Sequence, residues 1–256
     1  MSRKIKNKKL GICRLCLKED LLSFEHFPPK STFNKKMRYV HLDPEEMYKL
    51  DWLRDEKSQK RIYEGPLGDH SLCEDCNNFL NREYVGAFRK FAYSASHILS
   101  SIKPESDTVY FRIEELNLLR IYKHIISMFI SMNDIWYSKD SYSELREFIN
   151  NPNRNYLPDK YRLYLYLVRP HSFRKLKWSF VNNMGAISEF AFYPFGFVFS
   201  YDNLILNSHS PLYDLFPWKF FNSERESTVD FILPIFETHL PIPMDYRQKD
   251  ALKSYL

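Results

Sequence analysis

The stretch CRLCLKEDLLSFEHFPPK, Cys13 to Lys30, joins a pair of cysteines to a short alternating segment and a Glu-His pair. The alternation within LLSFEHF predicts a short strand, with Phe24 and His26 on one face and Glu25 on the other. Two consecutive prolines follow and end this strand, because proline lacks the N–H group that a strand needs. The fold of the first part of the chain therefore depends on how the cysteines hold this strand.

The four cysteines of the chain form two Cys-x-x-Cys pairs with no cysteine left over. This spacing lets two thiolates of a tight turn bind one ion, and two such pairs form a tetrahedral zinc site. Disulfides are the alternative, but they are rare in reducing compartments. A shell of four thiolates leaves no open position for substrate, so the predicted zinc (Zn²⁺) is structural. The predicted ligands are Cys13, Cys16, Cys73 and Cys76.

The composition is that of a packed globular protein, with 44% hydrophobic and 17% aromatic residues among 256. No apolar run reaches the roughly 18 residues that cross a bilayer, and no apolar segment of a secretion signal precedes the first cysteine. These features predict a soluble cytoplasmic protein without a membrane partner. The glycine-rich nucleotide-binding motifs and the G-x-S-x-G hydrolase motif are missing from the sequence.

The net charge of +5 lies entirely in residues 1–105, because residues 106–256 carry equal numbers of acidic and basic residues. The first nine residues form a basic arm without acids. Such an arm is either a solvated tail or a contact for phosphates, and its composition does not choose between them.

Together, the Cys-x-x-Cys pair, EHFPPKS and LCEDCNN resemble the HNH endonuclease family, specifically its zinc-stapled bacterial members. The ββα-metal fold of that family carries an acidic-His pair followed by x-x-Pro on its first strand. A final His or Asn stands at the start of its helix, directly after the last cysteine. The matching positions are Glu25, His26, Pro29 and Asn77, and the resemblance covers roughly residues 10–100.

The resemblance implies a metal-dependent endonuclease that hydrolyses phosphodiester bonds in nucleic acid, with DNA as the expected target, in phage defence or a mobile element. It implies His26 as the general base and Glu25 and Asn77 as ligands of a catalytic Mg²⁺ or Mn²⁺ ion. The basic residues of the following segment are candidates for contact with the nucleic acid backbone; these are Lys30, Lys35 and Lys36.

Two positions depart from the family pattern. Many members have Asp where this chain has Glu25, and the longer side chain puts the position of the ion in doubt. The family also has a middle Asn that orients the base, and Gly68 stands at that place. Asp69, His70 or a backbone carbonyl could take over the orienting role.

Less specific interpretations exist for the same residues. His26 could be a packing histidine or a neighbour of the zinc site, and Asn77 could be a helix cap, a position that Asn favours. His70 on its own is more typical of a surface loop. At the level of the whole protein, the alternatives are a zinc-held module that binds nucleic acid without cutting it, and a scaffold for protein contacts.

The remaining pattern predicts an α+β chain with a nuclease domain over 1–105 and an accessory domain over 106–256. In the first domain, an insertion carries a helix within 43–60, RIYEG forms a second strand (61–65), and a helix with an apolar stripe follows Cys76. The second domain begins with helices and continues as an antiparallel β-rich region. It either selects the target, binds a protein partner or forms a homodimer.

Overall fold

The computed structural model describes residues 8–34, 37–41, 61–102, 106–134, 142–169, 173–181, 185–201, 212–236 and 244–246. The fold is a mixture of helices with sheets of three, seven and two strands. Within these ranges, none of the helices has the length and apolar character that crossing a membrane requires. The helix predicted within 43–60 lies outside the described residues, as do Lys35 and Lys36.

The small sheet has the strand order β1-β2-β5, and both of its pairings are antiparallel. Its strands are β1 (Lys9–Ile12), β2 (Glu19–His26) and β5 (Gly68–Cys73). A separate hairpin is formed by β3 (Met37–His41) and β4 (Arg61–Gly65). RIYEG is thus a strand, as predicted, but it does not pair with β2. The neighbour of β2 is the segment GDHSLC, so the expectation that His70 belongs to a loop is wrong.

The helix after the second cysteine pair begins at Glu74, three residues before the predicted start. It comprises α1 (Glu74–Leu80), a π-helical turn over residues 81–85, and α2 (Gly86–Ser100). The series 80, 84, 88 and 92 of its buried residues advances in steps of four; the full set is Leu80, Tyr84, Phe88, Phe91, Ala92 and Ala95. Successive steps of four drift around a regular helix of 3.6 residues per turn, and the wider π-helical turn compensates for this drift.

The large sheet has the order β6-β12-β7-β10-β9-β8, with β11 added beside β7. Its pairings are antiparallel except between β12 and β7, which run parallel. The predicted strands of the β-rich region are present. The strands are β6 (Thr108–Leu116), β7 (Arg162–Val168), β8 (Phe173–Val181), β9 (Gly185–Phe192), β10 (Phe195–Tyr201), β11 (Tyr213–Asp214) and β12 (Ser227–Phe236).

Two further helices, α3 (Leu118–Met132) and α4 (Ser143–Asn150), confirm the helical patterns predicted there. Nearly every residue of α3 is buried, because the helix packs against α2, α4, β5 and β10. One hydrophobic core runs through both halves of the chain, and the Phe27 and Phe190 rings meet within it at 6.1 Å between centroids. The small sheet is therefore packed directly on the large one.

Candidate functional site

The four cysteines come together in one cluster, with all four sulfur atoms within 4.8 Å of one another. Cys13 and Cys16 lie in the turn after β1, Cys73 ends β5, and Cys76 lies in the first turn of α1. All four are free thiols, so the disulfide alternative is wrong. Among the described residues, this is the single group of three or more His, Cys, Asp or Glu side chains that could hold a metal ion.

The thiols of this cluster have unequal pKa values. A hydrogen bond from Cys76 lowers the pKa of Cys13 to about 4, whereas burial raises the pKa of Cys73 to about 11. The same hydrogen bond to Cys13 raises the pKa of Cys76. Neighbouring thiolates repel one another at this distance, so the cluster retains most of its protons unless a cation binds. The donor set thus fits a metal ion that lowers all four pKa values together.

The two faces of β2 separate the predicted catalytic pair, as the alternation requires. The His26 ring meets the Phe24 ring at 5.1 Å, and His70 of β5 meets Phe24 at 5.4 Å, both edge to face. His26, Phe24 and His70 therefore share one face of the small sheet. His26 is half-buried, so it is accessible to water and is not a fully buried packing residue.

Glu25 points to the other face and lacks a charge partner. Burial raises the pKa of its carboxyl group to about 8. None of the described residues donates a hydrogen bond to this carboxylate or forms an ion pair with it. A desolvated acid without a compensating donor is costly in a folded protein, and such groups are common where a ligand supplies the missing charge.

Asn77 is bonded to β2 through Ser23. Its amide nitrogen donates to the Ser23 hydroxyl at 3.0 Å, and its oxygen accepts from Asn81 at 2.9 Å. Ser23 in turn donates to the Leu72 carbonyl, so the amide is fixed to the sheet. The alternative that Asn77 caps the helix is wrong, because Cys73 occupies the N-cap position.

Gly68, which stands where the resemblance expects a middle Asn, leaves no room for a side chain. A Cβ atom built on Gly68 would lie 2.1 Å from the Glu25 carbonyl oxygen and 2.5 Å from the Phe24 ring. No side chain fits at this position without moving one of the two strands. The two other candidates for orienting the His26 base, His70 and Asp69, lie on different faces of the small sheet. His70 contacts Phe24, whereas Asp69 pairs across from Glu25.

Asp69 is held by Arg14 of the first cysteine turn, whose guanidinium forms an ion pair with it at 3.0 Å. The same guanidinium also donates to the Ser131 carbonyl near the end of α3. Asp69 thus ties the cysteine turn to β5. The ammonium group of Lys175 lies 4.7 Å from the Phe27 ring on this side, and burial lowers its pKa to about 8.

Two residues that shape this region were missed by the sequence analysis: Ser23 and Arg14. The predicted alternation placed Ser23 on the face of Glu25. Gly68 was noted only as a departure from the pattern, although a glycine within a strand often marks the close approach of another backbone. Arg14 carried no signal, because its partners lie 55 and 117 positions away in the chain.

Comparison of the chain with protein-family models, curated proteins and solved structures finds no match.

Proposed function

We propose that this protein is a metal-dependent endonuclease of the HNH type that hydrolyses phosphodiester bonds in nucleic acid, with DNA as the expected substrate. One observation supports this proposal above the others. The cysteine cluster brings the first turn of α1 against β2, so that Asn77 is bonded to Ser23, two residues from Glu25 and three from His26. The acid, imidazole and amide of the motif thus lie on one strand and one helical turn, with the acid and the imidazole on opposite faces of the strand.

The ion at the four cysteines is proposed to be zinc. A tetrahedral shell with Zn–S bonds of about 2.3 Å requires sulfur atoms about 3.8 Å apart. The Cys16 and Cys73 sulfur atoms lie 3.8 Å apart. With four thiolates this shell is closed, so the ion holds the fold and leaves the chemistry to other residues.

His26 is the proposed general base. Its imidazole is open to solvent on the face of Phe24 and can accept a proton from the attacking water near neutral pH. The edge-to-face contact with the Phe24 ring orients the plane of the imidazole.

Glu25 and Asn77 are the proposed ligands of a hard divalent cation such as Mg²⁺ or Mn²⁺. The Glu25 carboxylate lacks a donor within the described chain, and the Asn77 amide is held in place by Ser23. When bound, such a cation neutralises charge on the phosphate and on the leaving oxygen. Oxygen ligands suit such ions, which keep several waters and accept phosphate oxygens.

The second candidate function is a cysteine-held module that binds nucleic acid without cutting it. The opposite orientations of Glu25 and His26 favour it, because the strand alternation directs the two side chains to different faces of β2. A binding module needs neither an imidazole base nor a cation beside it.

A plasmid nicking assay with Mg²⁺ and with Mn²⁺ separates the two candidates. The wild type is compared with His26→Ala, Glu25→Gln and Asn77→Ala. Asn78→Ala serves as the matched control, because Asn78 is an exposed neighbour in the same helical turn. We expect each site variant to lose at least about 100-fold in nicking rate, as expected for the removal of a general base.

Equal cleavage by His26→Ala and the wild type would rule out His26 as the base. Intact plasmid with the wild type at every divalent ion, together with undiminished DNA binding, would establish the non-cutting module instead. Loss of activity in Asn78→Ala as well would show that the assay reports on folding of α1.

A further inference from the structure

Two exposed aromatic rings meet on the surface, and one of them lies in the loop that follows the strand of the proposed site. Phe33, in the loop after β2, is 37% exposed, and Tyr93 of α2 is 50% exposed. Their ring centroids lie 4.9 Å apart at an interplanar angle of 50°. The loop that carries Phe33 begins directly after the strand of Glu25 and His26.

This loop is fixed from within by buried polar residues on both sides of Phe33. The Asn34 amide donates to the Pro28 and Leu67 carbonyls at 2.6 and 2.8 Å and accepts from the Leu67 N–H group at 2.8 Å. The Thr32 hydroxyl donates to the Pro29 carbonyl at 2.9 Å. Because both neighbours are buried, the chain turns the Phe33 ring outward.

The outward position of Phe33 has a conformational cost. Its φ angle is 67°, in the left-handed region that disfavours a residue with a bulky side chain. The surrounding hydrogen bonds hold the backbone there, and strain that a structure maintains in this way is concentrated at functional positions. Tyr193 supports the ring from the other side, with centroids 6.0 Å apart, and is itself bonded to Ser96 of α2.

The surroundings of the two rings are basic. Lys30 is exposed on the same loop, and Arg89 is exposed one helical turn before Tyr93. Neither cation is paired with an acid in the part of the chain that the structure describes. The sequence of α2 contains no acidic residue, and neither does the segment from His26 to Arg38.

We propose that Phe33 and Tyr93 form a stacking platform for unpaired bases of a single-stranded nucleic acid, with Lys30 and Arg89 contacting its phosphates. Exposed rings beside unpaired cations match the alternation of base and phosphate along a single strand. This inference rests on the proposed function and deepens it: the platform would hold a frayed or single-stranded segment next to the scissile bond.

Fluorescence anisotropy with a labelled oligothymidine and with a matched duplex tests the platform in buffer without added divalent ions. We expect Phe33→Asn and Tyr93→Leu each to weaken single-strand binding roughly tenfold, the effect of losing one base stack. Duplex affinity should be unchanged. Tyr156→Leu is the control, because Tyr156 is an exposed tyrosine in the loop between α4 and β7. Arg89→Ala should reduce the salt dependence by about 0.7, the slope of one phosphate contact with a single strand.

Thermal unfolding of Phe33→Asn separates a binding role from a packing role. Asparagine tolerates the left-handed backbone. If the Phe33 ring serves binding, its removal in Phe33→Asn should therefore leave the midpoint temperature of unfolding unchanged. A lowered midpoint together with unchanged binding would make Phe33 a packing residue and overturn the proposal.

The nicking assay on the same preparations keeps the two proposals apart. If Phe33→Asn and Tyr93→Leu bind the single strand as tightly as the wild type, the platform proposal is overturned. If these variants still nick the plasmid, the nuclease proposal is unaffected. If both variants lose single-strand binding and the wild type does not nick the plasmid, the platform proposal is supported and the nuclease proposal is overturned. A wild type that binds neither oligonucleotide overturns the platform.

Discussion

The three-stranded sheet and the seven-stranded sheet are stabilised in different ways. In the small sheet, Leu10, Leu21 and Phe24 remain exposed, and its strands are joined by four thiols and the Arg14–Asp69 ion pair. In the large sheet, almost every residue of β9 and β10 is buried among aromatic rings. The difference teaches that apolar burial dominates the large sheet, whereas the small sheet combines its share of the core with polar and thiol contacts around the candidate site.

Unfavourable local features occur in both regions. The desolvated Glu25 and the left-handed Leu17 and Phe33 belong to the small sheet and its loops, whereas the left-handed Glu115 lies in β6 of the large sheet. Four predictions test this comparison.

The largest effect is expected from Cys76→Ser, which removes one ligand of the proposed structural ion. Binding of zinc to a four-cysteine site contributes on the order of 10 kcal/mol to folding, and most of this contribution should be lost. Hydrogen exchange should show loss of protection in β2 and β5 while β9 and β10 remain protected. Metal analysis of the wild type should find one zinc per chain; a metal-free wild type with protected β2 amides would contradict the comparison.

The next effect is expected in the large sheet, where Arg174 and Glu189 form a buried ion pair at 2.7 Å with side chains 2% and 0% exposed. Tyr166 and the Met244 N–H group also donate to this carboxylate. Glu189→Ala removes the carboxylate that neutralises the buried guanidinium, so the free energy of unfolding should fall by about 3–5 kcal/mol. Urea denaturation measures this change.

The matched control is Asp230→Ala, which breaks the exposed ion pair with Arg112 at 2.7 Å. Because solvent screens this pair, the variant should unfold almost like the wild type. Equal destabilisation by Glu189→Ala and Asp230→Ala would contradict the buried role of the first pair.

A smaller effect is expected from Gly68→Ala, since the new Cβ would lie 2.1 Å from the Glu25 carbonyl oxygen. The strands must separate to make room, at a cost of about 1–3 kcal/mol. Gly86→Ala is the control with the opposite sign. Gly86 has helical backbone angles and no atom within 4 Å of an added Cβ, so alanine should stabilise the protein by about 1 kcal/mol. Thermal unfolding of both variants checks the two signs.

The smallest effect concerns His124, which is buried in α3 against the Phe88 ring with neither ring nitrogen hydrogen-bonded. Burial lowers its pKa to about 3, below the value of about 6.5 in an unfolded chain. Between these values the unfolded state binds one more proton, so the free energy of unfolding falls as the pH drops below 6.5. The loss is at most about 1.4 kcal/mol per pH unit.

Urea denaturation at pH 7.5 and pH 5.5 measures this dependence. His124→Leu should remove its share of the pH dependence, whereas His97→Ala, at an exposed position of α2, should leave it unchanged. An unchanged pH dependence in His124→Leu would show that the imidazole is charged or solvated in the folded state.

The sequence predicted those elements that local periodicity determines. The faces of β2, the apolar stripe of α1 and α2, the buried helix α3 and the cysteine cluster all follow from spacing along the chain. Which strands pair with one another could not be predicted from the local sequence. The segment GDHSLC becomes β5 because it lies against β2, and its three consecutive polar residues gave it no strand pattern of its own.

The candidate site was predictable as a set of residues but not as an arrangement. Alternation alone directs Glu25 and His26 to opposite faces, and the Ser23–Asn77 contact depends on how the cysteine cluster places α1. The exposure of Phe33 arises from the buried amide of Asn34, which bonds to a residue 33 positions away. Contacts of such sequence separation leave no local signal.

The position of β12 has a consequence for the order in which the chain acquires its structure during synthesis. β12 lies between β6 and β7, although residues 227–236 follow both of these strands by many positions. Until the ribosome has released this segment, β6 has no neighbour and the sheet ends at β7. A nascent chain therefore exposes an edge of both strands from the synthesis of β7 (Arg162–Val168) until that of β12 (Ser227–Phe236), and chaperones that bind unpaired strands should engage it during this interval.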